Sequence, residues 1–388
     1  MKSNYDVLGN HIRLIDRRNG NLITEQVLGI NIDKFFMPSV ANVIGTDLSK
    51  YKLIQKGNFA CNPMHVGRDE RLPVALYTSD DPAIVSPAYF MFEIIDESVL
   101  NAEFLMMWFR RAEFDRVCWL HTDGSVRGGI TWDDLCRLEI PVPPIDEQIN
   151  IVKSYKAITE RIEIKKQIND NLEATAMTLF KSWFVDYEPF ELNDDGTPIG
   201  WKKTTLEEKL TTSTQSVNPQ KMKDNYVWHY SIPAFDSEKL PTMDIPTDIL
   251  SNKYLVSENA ILVSKLNPET KRVWRTLSCF EDAICSTEFI VFSPKEPKHR
   301  AFYYLMFNTK TFIDFLVSNA TGSTNSRMRV KPSSSLDFEF VCPNVNVIDD
   351  FCNKIEPLLD EIDNNILEIR RLNELKPFAV AKMLTLRH

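Results

Sequence analysis

The chain has 388 residues, of which 43% are hydrophobic, and its formal net charge is −9 at neutral pH. This length allows two domains with separate cores, and no apolar run approaches the ~20 residues of a membrane helix, so we expect a soluble, cytoplasmic protein. The acidic balance argues against phosphate contacts unless the cations are concentrated on one surface. The seven cysteines include no C-x-x-C pair, so no metal site is predicted.

The globular parts of the chain are predicted to contain both strands and helices. Residues 104–114 and 301–317 are apolar over helical lengths, whereas 256–263 and 283–292 have the continuous apolar runs of buried strands. The stretch 186–201, with Pro189 and Pro198, has the turn chemistry of a linker. The predicted fold class is therefore α/β, in the sense of a mixed α+β fold.

The chain repeats itself with an offset near 200 residues. Ala83-Ile84-Val85-Ser86 parallels Ala283-Ile284-Cys285-Ser286, and Thr122-Asp123-Gly124-Ser125 parallels Ala320-Thr321-Gly322-Ser323. Toward the end of each copy, residues 138–143 parallel residues 338–343. This diverged duplication predicts two similar globular domains.

A long helix is predicted after each copy, because apolar residues recur there at alternating spacings of three and four. Each pattern covers about 40 residues, or roughly 60 Å of helix, and packing the two helices on each other would hide both seams from water. The seam residues are Ile151, Ile158, Ile162, Leu172 and Leu179 in the first helix and Ile355, Leu359, Ile362, Ile366 and Ile369 in the second.

Polar residues and prolines interrupt these helical patterns. Lys165 and Asn169 fall in the first seam, where they either fix the register of the helices or mark a local stutter. Asn373 and Lys376 raise the same two alternatives in the second seam. Pro357 suits an early helical turn, whereas Pro377 is expected to kink or end the second helix.

A globular part, a P-x-P turn and a long helix, followed by the same series again, resembles the specificity subunits of type I restriction-modification systems. The carriers of the resemblance are residues 140–149 (IPVPPIDEQI), 197–202 (TPIGWK) and the Gly-Ser loops, whereas 345–351 lacks the P-P-x-x-E-Q form. The resemblance implies two target-recognition domains related by a pseudo-twofold repeat and separated by two long antiparallel coiled-coil helices. The implied segments are residues 1–143 for the first domain, 144–187 for the first helix, 188–345 for the linker and second domain, and 346–388 for the second helix.

Basic and polar loops are the candidates for contact with double-stranded DNA. Residues 327–331 would project three cations from one face of a strand, although a solvated edge strand guarded by cations has the same pattern. Arginine can pair with guanine and asparagine with adenine, but charged loops also serve solubility. The candidates are Asn62, His65, Arg68, Arg71, Ser125 and Arg127 in the first domain, and Lys265, Asn267, Lys271, Arg272, Arg275, Thr324, Asn325, Arg327, Arg329 and Lys331 in the second.

Sequence motifs for chemistry are missing. There is no phosphate-binding G-x-x-x-x-G-K-[ST] loop and no N-P-P-Y-like methyltransferase motif, and the E-x-K at 163–165 lies within the coiled-coil pattern. We therefore predict no catalytic residue and no cofactor in this chain. The alternatives are a helical scaffold that binds protein and a stand-alone nuclease or methyltransferase.

The resemblance assigns the chemistry to partner subunits. Two modification subunits would use S-adenosylmethionine to methylate adenine, and a restriction subunit, where present, would use ATP and Mg²⁺ to translocate and cleave DNA. This chain would read a bipartite, asymmetric target for them.

Overall fold

The computed structural model of the chain describes residues 4–40, 45–64, 66–122, 128–277, 280, 282–322 and 327–381. It divides into two compact units, Met1–Ile162 with Arg371–His388, and Glu163–Arg370. Each unit contains both strands and helices, so the mixed fold class predicted from the sequence is confirmed. Within the described ranges, no helix combines the length and the apolarity that are needed to cross a membrane.

The first unit carries two four-stranded sheets, with strand orders β2-β9-β6-β7 and β4-β3-β8-β5. A separate ribbon joins β1 to β10, the strand that precedes the first long helix. The strands are β1 (Tyr5–Val7), β2 (Ile12–Leu14), β3 (Val27–Ile30), β4 (Phe36–Pro38), β5 (Lys52–Ile54), β6 (Phe59–Cys61), β7 (Val74–Leu76), β8 (Ala83–Val85), β9 (Phe90–Ile94) and β10 (Glu139–Pro141), and the short helices are α1 (Val66–Asp69), α2 (Ala102–Phe109), α3 (Ala112–Leu120) and α4 (Trp132–Cys136).

The core of the first unit is built on stacked aromatic rings. Phe59 and Phe92 stack with centroids 5.0 Å apart, and Phe109 of α2 meets the Phe59 ring edge-on. The single helix predicted over 104–114 is wrong, because Arg111 adopts extended backbone angles between α2 and α3. Splitting the helix lets both halves turn apolar residues into one core.

The second unit repeats this topology. Its sheets have the orders β12-β20-β17-β18 and β15-β14-β19-β16-β13, and a ribbon joins β11 to β21. The strands are β11 (Lys202–Thr205), β12 (Leu210–Ser213), β13 (Ser216–Val217), β14 (Val227–Tyr230), β15 (Thr242–Asp244), β16 (Lys253–Leu255), β17 (Ile261–Ser264), β18 (Val273–Arg275), β19 (Ile284–Ser286), β20 (Phe289–Pro294) and β21 (Glu339–Cys342), and the short helices are α6 (Leu206–Lys209), α7 (Ile232–Glu238), α8 (Arg300–Phe307), α9 (Lys310–Ser318) and α10 (Pro332–Leu336).

The duplication predicted from the sequence is confirmed in three dimensions. The parallel pair β3–β8 of the first unit corresponds to the parallel pair β14–β19 of the second, and each pair is flanked by antiparallel neighbours. The strand predicted over 283–292 is two strands, β19 and β20. The strand predicted over 256–263 occupies only its last part, as β17. The helix predicted over 301–317 is also two helices, α8 and α9.

The two long helices are α5 (Ile145–Phe184) and α11 (Val345–Ala381). All ten predicted seam residues are buried or half-buried. Within the second unit the helices run antiparallel, because Lys165 near the start of that stretch of α5 contacts Asn365, whereas Trp183 near its end contacts Phe351. Pro357 lies in the interior of α11, so its placement in an early turn is wrong. The helix continues past Pro377 to Ala381, so Pro377 does not end it, and the predicted kink stays a prediction.

Polar side chains of the two helices meet in the second unit. Asn365 is completely buried; its side-chain carbonyl accepts a 2.6 Å hydrogen bond from Lys165 Nζ, and its Nδ2 donates a 2.8 Å bond to Asn169 Oδ1. Lys165 Nζ also lies 2.8 Å from Glu368. The polar seam residues of α5 are therefore matched by partners on α11, which favours the register interpretation over a local stutter.

Candidate nucleic-acid interface

The two basic stretches predicted in the second copy lie side by side. The backbone N–H of Val330 donates to the carbonyl of Lys265 at 3.0 Å, and the N–H of Asn267 donates to the carbonyl of Met328 at 2.8 Å. Leu266 and Arg329 face each other in an isolated bridge. We call this surface, residues 265–272 with 327–331, the second loop pair.

The equivalent segments of the first copy are joined in the same way. The N–H of Ile130 donates to the carbonyl of Pro63 at 3.2 Å, and the N–H of Gly67 donates to the carbonyl of Gly128 at 2.9 Å. A Cβ atom at position 129 would lie 2.8 Å from the Pro63 carbonyl oxygen, so this close approach requires the glycine that is present. We call residues 62–71 with 128–130 the first loop pair.

Cations of the second loop pair alternate in exposure, although the strand predicted over 327–331 is wrong. The segment forms only isolated bridges, yet Arg327, Arg329 and Lys331 are exposed while Val330 between them is buried. Arg327 lies in a 3-10 turn and only Arg329 forms bridges, so the common face of the three cations stays a prediction while their exposure is observed.

Surface arginines of both loop pairs have carboxylate partners. Arg329 forms a two-point contact with Glu288, with Nε 3.0 Å from Oε2 and Nη2 3.0 Å from Oε1. Arg272 contacts Asp236 in the same manner, at 2.7 and 2.8 Å, and lowers the pKa of that carboxyl group. Arg71 lies 3.0 Å from Asp33. These acids were not predicted; each comes from another segment, so local sequence carries no signal of the pairing.

The remaining described candidates differ in exposure and in hydrogen bonding. Lys265 is half-buried, with Nζ 5.9 Å from the centre of the Tyr254 ring, whereas Lys271 is exposed. Asn267 has a positive φ of 47°, and its buried Oδ1 has no hydrogen-bond partner among the described residues. Asn62 Oδ1 accepts a hydrogen bond from the N–H of Met64.

Among the candidates whose side chains the structure describes, Arg275 has a position that contradicts the predicted contact with DNA. Its side chain is only 7% exposed, and it points away from the loop toward α11, where Nη2 lies 2.7 Å from Asp363. A guanidinium that is buried among carboxylates cannot reach a phosphate or a base edge. The sequence prediction failed because the position was judged from its neighbours in the chain.

Several candidates cannot be placed. His65, Ser125, Arg127, Thr324 and Asn325 lie outside the described residues, and Arg68 lies in α1 with its side chain outside them. The DNA-contact roles of the remaining candidates stay predictions. Among the described residues, no group of three or more His, Cys, Asp or Glu side chains could hold a metal ion.

Comparison with known proteins identifies the kind of fold and domain. A family model described as "Type I restriction modification DNA specificity domain" matches residues 75–174. The MjaIX specificity subunit of Methanocaldococcus jannaschii is 24% identical over 309 residues, which cover 75% of this chain and 70% of that protein. The HindI specificity subunit of Haemophilus influenzae is 28% identical over 190 residues, 47% of this chain and 40% of that protein.

A solved structure shares the fold along the whole chain. The type I restriction-modification S subunit from M. genitalium superposes with a TM-score of 0.60 at 13% identity, covering 99% of both chains. Domain model, sequence relatives and fold agree with the resemblance seen in the motifs. Residues 75–174 of this chain are therefore similar to a type I restriction modification DNA specificity domain, and the whole chain has the fold of the S subunit structure.

Proposed function

We propose that this chain reads a DNA target made of two different halves and directs a partner methyltransferase to adenines within it. The chain itself is a non-catalytic subunit. The observation that carries the proposal is the pair of matching loop surfaces, which share their backbone hydrogen bonds but differ in their side chains.

The different side chains support an asymmetric target. Where the first loop pair places Pro63, the second places Lys265. Where the first places Ile130, the second places Val330 between Arg329 and Lys331. Cations position a protein on phosphates, and Arg and Asn read base edges in the major groove. Two surfaces with different side chains select different bases, whereas a symmetric dimer would read a palindrome.

The chemistry is proposed to lie in partner subunits. Two modification subunits would bind one copy of this chain and supply S-adenosylmethionine, and a restriction subunit would supply ATP- and Mg²⁺-dependent cleavage. The similarity to the specificity-domain model and to two specificity subunits supports this division of labour, and the sequence of this chain contains no phosphate-binding loop or methyltransferase motif.

The test is a map of methylated adenines in a host that carries this chain and its neighbouring methyltransferase, compared with the same host lacking this chain. We expect a split, asymmetric motif that disappears on deletion and returns when the gene is restored. Unchanged methylation would contradict the proposal. Methylation that is lost in the host but is independent of DNA sequence in the purified complex would instead support a protein-binding scaffold.

A further inference from the structure

Arg275 is buried at the base of a β-hairpin in the second unit. The hairpin consists of β17 and β18, which pair antiparallel with Ile261 opposite Arg275, and its connecting loop is residues 265–272 of the second loop pair. Arg275 lies three residues beyond Arg272, or about 10 Å along the strand. The contacts of Arg275 therefore fix the base of the loop at residues 265–272, which the proposed function assigns to DNA binding.

The partners of Arg275 come from one face of α11. Nη1 lies 3.3 Å from Glu356, Nη2 lies 2.7 Å from Asp363, and Nη2 also donates to the backbone carbonyl of Leu359. Positions 356, 359 and 363 share a face of an α-helix because their spacings are three and four. One guanidinium therefore contacts two successive turns of α11.

A second buried arginine supports the same contact from the globular side. Arg300, at the start of α8, is 7% exposed, and its Nη2 donates to the carbonyl of Ala260 and to the hydroxyl of Thr276, each at 3.0 Å. Thr276 directly follows Arg275, and Ala260 directly precedes β17. Arg300 therefore fixes the base of the hairpin on its other side.

The first copy has no such cluster at the equivalent place. In its hairpin, Phe59 lies opposite Leu76 as Ile261 lies opposite Arg275, so Leu76 is the counterpart of Arg275. Leu76 is half-buried and packs against the apolar core. A well-packed apolar side chain often stabilises as much as a buried ion pair of similar volume, so stability alone does not explain the arginine.

Direction distinguishes the two kinds of contact. Apolar burial is proportional to area and has no preferred direction, whereas the planar guanidinium fork binds its acceptors at fixed angles. Contacts with two turns of α11 restrict both sliding and rotation of β18 against the helix.

We infer that Arg275 is a positioning residue, which anchors the β17–β18 hairpin on α11 and so sets the direction in which the second loop pair faces its half of the DNA target. The inference rests on the proposed function. Ionic contacts hold the second loop pair on its helix, whereas apolar packing holds the first loop pair.

The test measures how strictly the complex of this chain with its methyltransferase discriminates spacing between the two half-sites. The probes are duplexes that carry the split sequence taken from the methylation map, with the spacing changed by one base pair in either direction. The main variant replaces Arg275→Leu together with Glu356→Gln and Asp363→Asn, so that no carboxylate is left buried without a partner. A second variant, Arg275→Lys, keeps a cation but removes the fork.

The matched control is Lys298→Met. Lys298 also joins the globular part to α11, through a 2.7 Å contact with Asp349, but its side chain is 58% exposed. An exposed ion pair contributes little, so this variant is expected to retain the discrimination of the wild type.

We expect the ratio of affinities for the native and the altered spacings to fall by ~10-fold in both Arg275 variants. A loop displaced by about 1 Å can lose far more than this where the contact requires exact geometry. Either variant, if it retains the wild-type melting temperature and the wild-type ratio of affinities, would overturn the inference. Failure of the wild-type complex to prefer any split duplex would overturn the proposed function as well, and is recognised without any variant.

Discussion

The salt dependence of DNA binding can show which cations of the second loop pair contact phosphates. Arg327 and Arg329 are both exposed, and Glu288 partly neutralises Arg329. A guanidinium held by a carboxylate is already oriented, but it has to share its charge with any phosphate that approaches. The strength of the field at this surface therefore depends on acids that lie far away in the sequence.

The variant Arg327→Ala with Arg329→Ala is expected to weaken binding of the split duplex and to flatten its salt dependence, because each phosphate contact contributes about −0.9 to the slope of log K against log salt concentration. Titrations at several salt concentrations measure the slope. Arg13→Ala is the matched control, since Arg13 is 63% exposed and also pairs with a glutamate, Glu93, but lies outside both loop pairs. An unchanged slope in the double variant would remove these arginines from the interface.

Asp363 makes the stability of the second unit depend on pH. The pKa of Asp363 is raised from 3.8 to about 6, mainly by burial and in part by the nearby Asp360. These effects outweigh the attraction of Arg275 and Arg300. The folded chain then binds more protons than the unfolded chain between these two values, so stability falls as pH rises through that window and is constant above it.

Asp363→Asn should remove this dependence. Because one unit of pKa shift corresponds to about 1.4 kcal/mol, the free energy of unfolding of the wild type relative to the variant is expected to fall by up to about 3 kcal/mol between about pH 4 and pH 6. Denaturant unfolding across this range measures the difference. Asp349→Asn is a control of opposite sign, since Lys298 and His299 lower the pKa of Asp349. A pH-independent difference for Asp363→Asn would contradict the assignment.

At the scale of whole elements, the long helices were predictable because their contacts repeat along the chain. The seam residues of α5 and α11 were found from spacing alone, and so was the polar interruption at Lys165 and Asn169. Asn365, which pairs with both, was not predicted. Its pairing depends on which residue of the other helix lies opposite, and periodicity within one helix does not determine that.

The errors of prediction have the same origin. Pro377 was expected to kink or end α11, but the helix continues past it, because tertiary context can outweigh a local chain preference. Arg275 was expected at the surface because its sequence neighbours are polar, yet its partners lie more than 80 positions away. Composition and spacing thus predicted the long helices and the duplication, whereas the division of the shorter elements and the burial of particular charges required the folded chain.

Replacing Asn365→Leu tests the polar contact between the helices. The substitution removes the partner of Asn169 and one of the two partners of Lys165, which keeps Glu368, so we expect a loss of about 1–3 kcal/mol in the free energy of unfolding. Asn353→Leu makes the same change on the exposed side of α11 and should cost much less. Adding Asn169→Leu to Asn365→Leu removes the unpaired amide and should recover part of the lost stability, with Lys165 still paired to Glu368. Failure to recover would show that the contact does more than satisfy polar groups.

At the scale of the whole molecule, the first unit is discontinuous in sequence. It consists of Met1–Ile162 together with the final stretch from Arg371, and Val380 of α11 packs against its core beside Tyr155. A substitution or truncation in the stretch from Arg371 should therefore affect the stability of the first unit.

Truncation after Arg370 should destabilise the first unit and spare the second. Removal of the segment uncovers apolar surface around Met107 and Tyr155, and burial of one large apolar side chain contributes about 1.5–3 kcal/mol. Hydrogen exchange should show faster exchange over residues 145–162 with little change over 345–359. Truncation after Ala381, which removes no described residue, is the control, and equal effects of the two truncations would contradict the expectation.

The divided first unit has a consequence for biosynthesis. A ribosome that adds 5–20 residues per second needs about 10–40 s to make residues 163–370 after Ile162 has been added. During that time the nascent first unit lacks the segment that carries Val380, and its apolar face beside Tyr155 is open to chaperones or to neighbouring nascent chains. The first unit to leave the ribosome is thus the last to be completed.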